Sequence, residues 1–189
     1  MGTSTNPSQP SVERTRLRLL GGALAAAAAA VARPCVAAVQ APAPRAIKLH
    51  NTHTGESLLT PYWEDGAYLP EGLANIAHVL RDHRTDTVHP IEPALLDLLH
   101  TLHGNFGVKA GFEVISGYRS PQSNARLAAA SDGVATHSLH MDGKAIDIRL
   151  PGVELKTLHR AARSLSIGGV GFYPTSDFVH VDVGRVRYW

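Results

Sequence analysis

The segment "DFVHVDVG", Asp177 to Gly184, constrains the fold of this chain more than any other. Val179, Val181 and Val183 alternate with His180 and Asp182. A period of two marks a strand with two unlike faces, and β-branched valines favour that backbone. The valine face must meet a core, so His180 and Asp182 share the other face. "AIDIRL", Ala145 to Leu150, repeats the pattern: Ile146 and Ile148 point one way and Asp147 the other. Two half-buried strands close together predict a mainly antiparallel sheet with helices packed on it, an α+β class.

The rest of the pattern fits that class. "AIKLHNTHTGESLLTPYW" reads as strand, turn and strand, with Thr54-Gly55-Glu56 at the turn. Helices are expected over "PEGLANIAHVLRDHR", "EPALLDLLHTLHGNFG", "SPQSNARLAAAS" and "VELKTLHRAARSLS". Pro70, Pro93 and Pro121 suit first helical positions, Ser120 caps the third helix, and Gly104 stops the second. "GFEVISGYRS", "KAIDIRLPG", "GGVGFYP" and "DFVHVDVGRVRYW" read as strands, with Gly169 and Gly171 permitting close packing. In "RVRYW", Val186 and one or both aromatics are expected against the sheet, with Arg185 and Arg187 on the other face.

The N-terminus reads as a processing segment. "RTRLRLLGGALAAAAAAVA" sets three arginines before an alanine-rich apolar run, and "CVAA" offers small residues for cleavage near Ala38. Residues 1–38 are therefore expected to be an export signal, cleaved or retained as an anchor, and a retained leader is the expected route to any membrane association. "AVQAPAPRA" reads as a linker, given as 39–46, and the domain is expected over 47–189. The chain carries a formal net charge of +2, and four of its 18 basic residues lie in the leader, so the remainder is nearly neutral. No basic patch argues for nucleic acid. The single cysteine, Cys35, also lies in the leader, so any metal in the domain must use His, Asp or Glu.

Two segments carry candidate chemistry. In "SLHMDGKAID", His140 and Asp147 are seven residues apart, which suits a loop that delivers the histidine and a strand that delivers the aspartate. Gly143 permits the reversal between them, and Asp142 reads as a solvated loop residue. "DFVHVDVG" supplies His180. Two histidines and an aspartate from adjacent strands make a three-ligand zinc set with an open fourth position. On spacing alone the same residues also fit a solvated polar face.

Ser138, His140, Gly143, Ala145 and Asp147 spell SxHxxGxAxD, which resembles the signature of the zinc D-Ala-D-Ala peptidase superfamily, whose fold is shared with the hedgehog signalling domain. The resemblance implies one Zn2+ ion held by His140, Asp147 and His180. It implies a general base at Asp177, three residues before His180, where many relatives carry Glu; Asp182 is the second candidate. Arg119 in "SGYRS" matches a cleft arginine that contacts substrate or the developing oxyanion. His137 and Ser138 are placed with the substrate-binding residues, Ser138 as one that orients the loop.

"LHNTHTGE", "LRDHRTDTVHPIEPALLDLL", "SGYRSPQSN", "HSLHMDGKAIDI" and "DFVHVDVGRVRYW" are similar to the murein endopeptidase K-like branch of that superfamily. That resemblance spans about residues 47–189. It implies a zinc-dependent endopeptidase that hydrolyses crosslinks between peptidoglycan stem peptides in the bacterial envelope, and so an exported, periplasmic or envelope location. Two alternatives stand beside it: a carboxypeptidase or dipeptidase of D-Ala-D-Ala type, and a non-catalytic zinc-stabilised module that binds peptidoglycan.

Overall fold

The computed structural model describes residues 42–130 and 135–189, so the expected leader over 1–38 lies outside the described residues. The first strand, β1 (Arg45–Asn51), begins two residues before the expected domain start, because the Arg45 guanidinium is anchored by Asp97 at 2.7 Å. β2 (Ser57–Glu64) returns antiparallel to it and a short β3 (Ala67–Tyr68) follows. The chain continues through α1 (Pro70–Val79), α2 (Pro93–Gly104), β4 (Phe112–Ser116), α3 (Pro121–Ala130) and β5 (Ala145–Arg149). It closes with α4 (Leu155–Leu165), β6 (Gly169–Tyr173), β7 (Phe178–Asp182) and β8 (Arg187–Tyr188).

All eight strands form one sheet in the order β3-β2-β1-β4-β5-β7-β6-β8. The sheet is mixed rather than purely antiparallel: β1 with β4 and β6 with β8 run parallel. Both follow from connection. A parallel neighbour needs a crossover, and α1 and α2 make one between β1 and β4. β8 reverses after β7 and pairs with the free edge of β6, which itself runs antiparallel to β7.

β5 and β7 lie side by side with Ile146 opposite Val181, Asp147 opposite His180 and Ile148 opposite Val179. Ile146, Ile148, Val179 and Val181 are wholly buried, and they join the α2 leucines Leu95, Leu96, Leu99 and Leu102 in one core. The expected alternation thus holds on both strands. α1 ends at Val79, earlier than the hydrophobic period suggests. Asp82 explains the stop: its carboxylate accepts the Arg84 and Ser120 backbone N–H groups, each at 2.9 Å, which turns the chain out of the helix. Ser120 caps α3 as expected, accepting the Ser123 N–H at 3.2 Å.

Candidate metal centre and active-site cleft

His140 sits on a one-turn 3-10 helix, Leu139–Asp142, that Gly143 ends in a left-handed conformation with φ 66°. A side chain at Gly143 would also collide with the Pro90 carbonyl oxygen, so glycine is required there twice over. The turn delivers His140 to the polar face of β5 and β7, where Asp147 and His180 are cross-strand partners. All three residues are buried. His140 Nε2 lies 3.3 Å from His180 Nδ1 and 3.3 Å from Asp147 Oδ1, and His180 Nδ1 lies 2.9 Å from Asp147 Oδ1. Tetrahedral zinc with bonds of about 2.0–2.1 Å separates neighbouring donors by about 3.3 Å. The donor set therefore fits a metal ion.

The outer nitrogen of each imidazole is fixed by an acceptor. His140 Nδ1 donates to the Gly117 carbonyl at 2.7 Å, which leaves Nε2 as its lone-pair nitrogen. His180 Nε2 donates to Asp182 Oδ2 at 3.0 Å, which leaves Nδ1. Such outer partners set the tautomer and orient a ligating ring. Asp182 is itself wholly buried. Its Oδ1 accepts the Gly169 and Gly184 backbone N–H groups, and both oxygens accept from Arg187, at 3.1 and 2.7 Å. Burial pushes the Asp182 carboxyl up, but His180, Arg187 and those N–H groups outweigh it and hold it well below the usual range. Asp147 follows the same logic: burial raises it, and the His140 and His180 imidazoles bring it far down. Burial lowers the His180 imidazole, yet Asp147 and Asp182 raise it by more.

A cavity of about 410 Å³ opens over the triad, with Arg119, Ser138, Tyr173, Phe178 and Trp189 in its walls. Arg119, in the loop after β4, is mostly buried and bonded only loosely: Asn124 and Ser116 accept from it at 3.4 Å, and Asp147 Oδ2 lies 3.9 Å away. Among the described residues its Nε has no partner. Burial lowers the guanidinium pKa, with Asp147 opposing. Ser138 lines the cavity and accepts the His140 N–H at 3.4 Å. His137 is exposed and is not among the cavity residues. Asp142 is exposed too.

Asp177 lies in the turn between β6 and β7, at φ 54°, with its side chain 62% exposed. Asp tolerates that left-handed backbone better than most residues, and its N–H closes the turn on the Pro174 carbonyl. Its carboxylate accepts Arg149 Nη1 at 2.9 Å and does not line the cavity.

The C-terminal strand departs from expectation. Val186 is 48% exposed rather than packed, because Arg187 turns inward to Asp182 and Trp189 lies over the sheet beside His180. The wall formed by Tyr173, Phe178 and Trp189 was not legible as part of a site. Its signal was Gly171, a gap at an alternating position of a strand: a Cβ there would lie 2.6 Å from the Trp189 ring.

Known proteins bear on this geometry. The family described as peptidoglycan L,D-endopeptidase MepK matches residues 39–189. The chain is 42% identical to peptidoglycan L,D-endopeptidase MepK of Escherichia coli (strain K12) over 176 residues, covering 93% of this chain and 96% of that protein. The protein of the same name from Shigella flexneri matches to the same extent. The probable peptidoglycan L,D-endopeptidase MepK of Haemophilus influenzae is 43% identical over 155 residues, covering 82% of this chain and 83% of that protein. No solved structure matches the chain. With a family match over nearly the whole described domain and relatives this similar end to end, the chain belongs to the peptidoglycan L,D-endopeptidase MepK family of peptidases.

Proposed function

We propose that the protein is a zinc-dependent endopeptidase that hydrolyses peptide crosslinks between peptidoglycan stem peptides, acting on the L,D bond class that its relatives' names carry. The observation that carries the reading is the donor set: His140 Nε2, Asp147 Oδ1 and His180 Nδ1 converge in a cleft, each imidazole with its outer nitrogen already engaged. His140, Asp147 and His180 would hold the ion, and two histidines with one carboxylate are a donor set of open, catalytic zinc sites. Zinc, when bound there, supplies Lewis acidity toward a carbonyl and toward water.

The chain's own residues supply the rest. Arg119 sets positive charge beside Asp147, where a substrate carbonyl would gain negative charge or a substrate carboxylate would dock. Ser138 holds the turn that carries His140, and we place His137, exposed beside it, with the residues that contact substrate. Of the two candidate bases, Asp182 is closed off by its bonds to Gly169, Gly184, His180 and Arg187. We therefore assign proton transfer to Asp177, which is exposed and adjoins the cavity residue Phe178. It accepts the proton of the attacking water and returns it to the leaving amine, after exchanging its contact with Arg149.

Residues 1–38 are assigned as an export signal and the residues from there to β1 as a linker, which puts the domain in the periplasm or envelope where its substrate lies. Among the described residues no helix is long and apolar enough to cross a membrane. The test is incubation of the purified protein with crosslinked muropeptides, with and without chelator. Conversion of dimers to monomers, abolished by chelation and restored by Zn2+, is the expected result. Release of terminal D-alanine alone would instead make it a trimming peptidase, and binding without any release would make it a non-catalytic module.

A further inference from the structure

Residues 80–92 join α1 to α2, open with the motif "LRDHRTDTVHP", and have no part in the chemistry of the cleft. The first half of the segment holds the loop that carries Arg119. The Tyr118 N–H donates to the Leu80 carbonyl at 2.8 Å, and the Ser120 N–H donates to Asp82 Oδ2 at 2.9 Å. Gly117 permits this approach, since a Cβ there would lie 2.5 Å from the Leu80 carbonyl oxygen. The second half holds the turn that carries His140: the Glu92 N–H donates to the Gly143 carbonyl at 3.0 Å. Between the halves, the Asp82 N–H donates to the Thr87 carbonyl at 3.0 Å and closes the segment on itself. His89 stacks on Tyr118 at 4.5 Å with an interplanar angle of 7°. Asp82 is 1% exposed, and each of its oxygens accepts one backbone N–H, Oδ1 from Arg84 and Oδ2 from Ser120.

We propose that Asp82 is a positioning residue of the cleft, which fixes through the Ser120 N–H where the Arg119 guanidinium stands beside Asp147, a proposal that rests on the part given to Arg119 in the endopeptidase reading. The Arg119 side chain is not held by its own contacts. Its two acceptors lie at 3.4 Å, Asp147 lies at 3.9 Å, and among the described residues Nε has no partner. A cation that must meet negative charge on a substrate cannot be saturated by protein acceptors, so its place has to be set from the main chain. The main chain is held at three successive N–H groups: Tyr118 on Leu80, Arg119 on the His140 carbonyl at 3.1 Å, and Ser120 on Asp82. Burying a carboxylate costs free energy that a plain turn does not require. What the carboxylate adds is two acceptors and no donor on a short side chain, so it can take both N–H groups at once. Asparagine keeps the shape but must turn its NH2 toward one of them. Gly117, whose carbonyl accepts His140 Nδ1, lies on the far side of the Tyr118–Leu80 bond, so the metal-binding group is anchored separately.

The test is a double-mutant cycle between Asp82→Asn and Arg119→Ala, with the zinc-loaded protein and crosslinked muropeptides. Asp82→Asn alone is expected to lower kcat about 10–10²-fold with KM and zinc content unchanged, as a misplaced group would. In the Arg119→Ala background the same substitution is expected to cost no more than about twofold. An equal loss in both backgrounds overturns the proposal, since a general loosening of the fold would give that result. A normal kcat in the single variant overturns it as well. Two further measurements need no turnover. In the parent protein the Ser120 amide is expected to be protected from hydrogen exchange like the amides of β5. Exchange at the rate of an open loop overturns the proposal, whether or not Asp82→Asn folds. In proton–nitrogen correlation spectra the Arg119 Nε–H resonance is expected to move in Asp82→Asn, and an unmoved resonance overturns the proposal. A parent protein that hydrolyses nothing but gives both spectroscopic results keeps the positioning role and removes the endopeptidase reading.

Discussion

Among the described residues two pairs of histidines lie ring to ring, and only one of them belongs to a group able to hold a metal ion. His53 and His83 stack face to face at 3.8 Å with an interplanar angle of 12°. His140 and His180 meet at 5.1 Å and 63°. Stacked rings direct their nitrogens outward in parallel planes; tilted rings direct one nitrogen each toward a common point. The second pair also has Asp147 at that point and an acceptor behind each outer nitrogen. In the first pair His53 Nε2 donates to the Ile115 carbonyl at 3.0 Å, and burial together with His53 pushes the His83 imidazole down. Among the described residues only His140, Asp147 and His180 form a group able to hold a metal. Proximity of histidines is therefore a poor sign of a metal site. Convergent lone pairs, a carboxylate and fixed tautomers are the better one.

Substitutions can break that contrast in order of size. His180→Ala is expected to abolish stoichiometric zinc and all turnover, whereas His53→Ala leaves zinc content unchanged; elemental analysis of the two proteins reads this directly. Arg119→Ala is expected to keep zinc and lose about 10²–10³ in kcat, by steady-state kinetics. Retained zinc with near-normal kcat would move Arg119 out of the reaction. Asp182→Asn is expected to weaken zinc affinity about 10–100-fold in a competitive chelator titration, because the His180 ring loses its charged partner. An unchanged affinity would mean that packing alone orients the ring.

The fourth concerns Asp82, which borders His83. Burial pushes its carboxyl up, but bonds from Ser120, Ser123 and the Arg84 backbone hold it well below the usual range. A carboxyl depressed in the folded state binds its proton more readily in the unfolded one. Its stabilisation is therefore complete above the unfolded pKa of about 4 and is lost as pH falls below it. Asp82→Asn is expected to flatten the acid loss of stability, measured as urea midpoints between about pH 5 and pH 3. The smallest effect is His83→Ala, expected to change stability by no more than about 0.5 kcal/mol.

The contrast also shows what a sequence can convey. Alternation on "AIDIRL" and "DFVHVDVG" assigned core and polar faces correctly, because a period of two is local and each face has one environment. Gly143 was legible for the same reason. Asp182 was legible as a polar-face residue and not as the partner that orients His180, since its role depends on Arg187 folding back from the last strand. Asp177 is the sharpest case. Motif spacing gave its position but not its direction, which is set by Arg149, a residue 28 positions away. The two parallel pairings were hidden as well, because they arise from connections and not from any strand's own pattern.

The order of the sheet has one more consequence. Its outermost strands, β3 and β8, are each two residues long, Ala67–Tyr68 and Arg187–Tyr188. The six longer strands are enclosed between them. Unpaired strand edges are templates for intermolecular pairing, and very short edge strands are one way proteins blunt them. The two edge strands thus offer few unpaired groups of their own to another copy, and the C-terminal turn that braces the cleft also covers Gly169 and Val170 on the edge of β6.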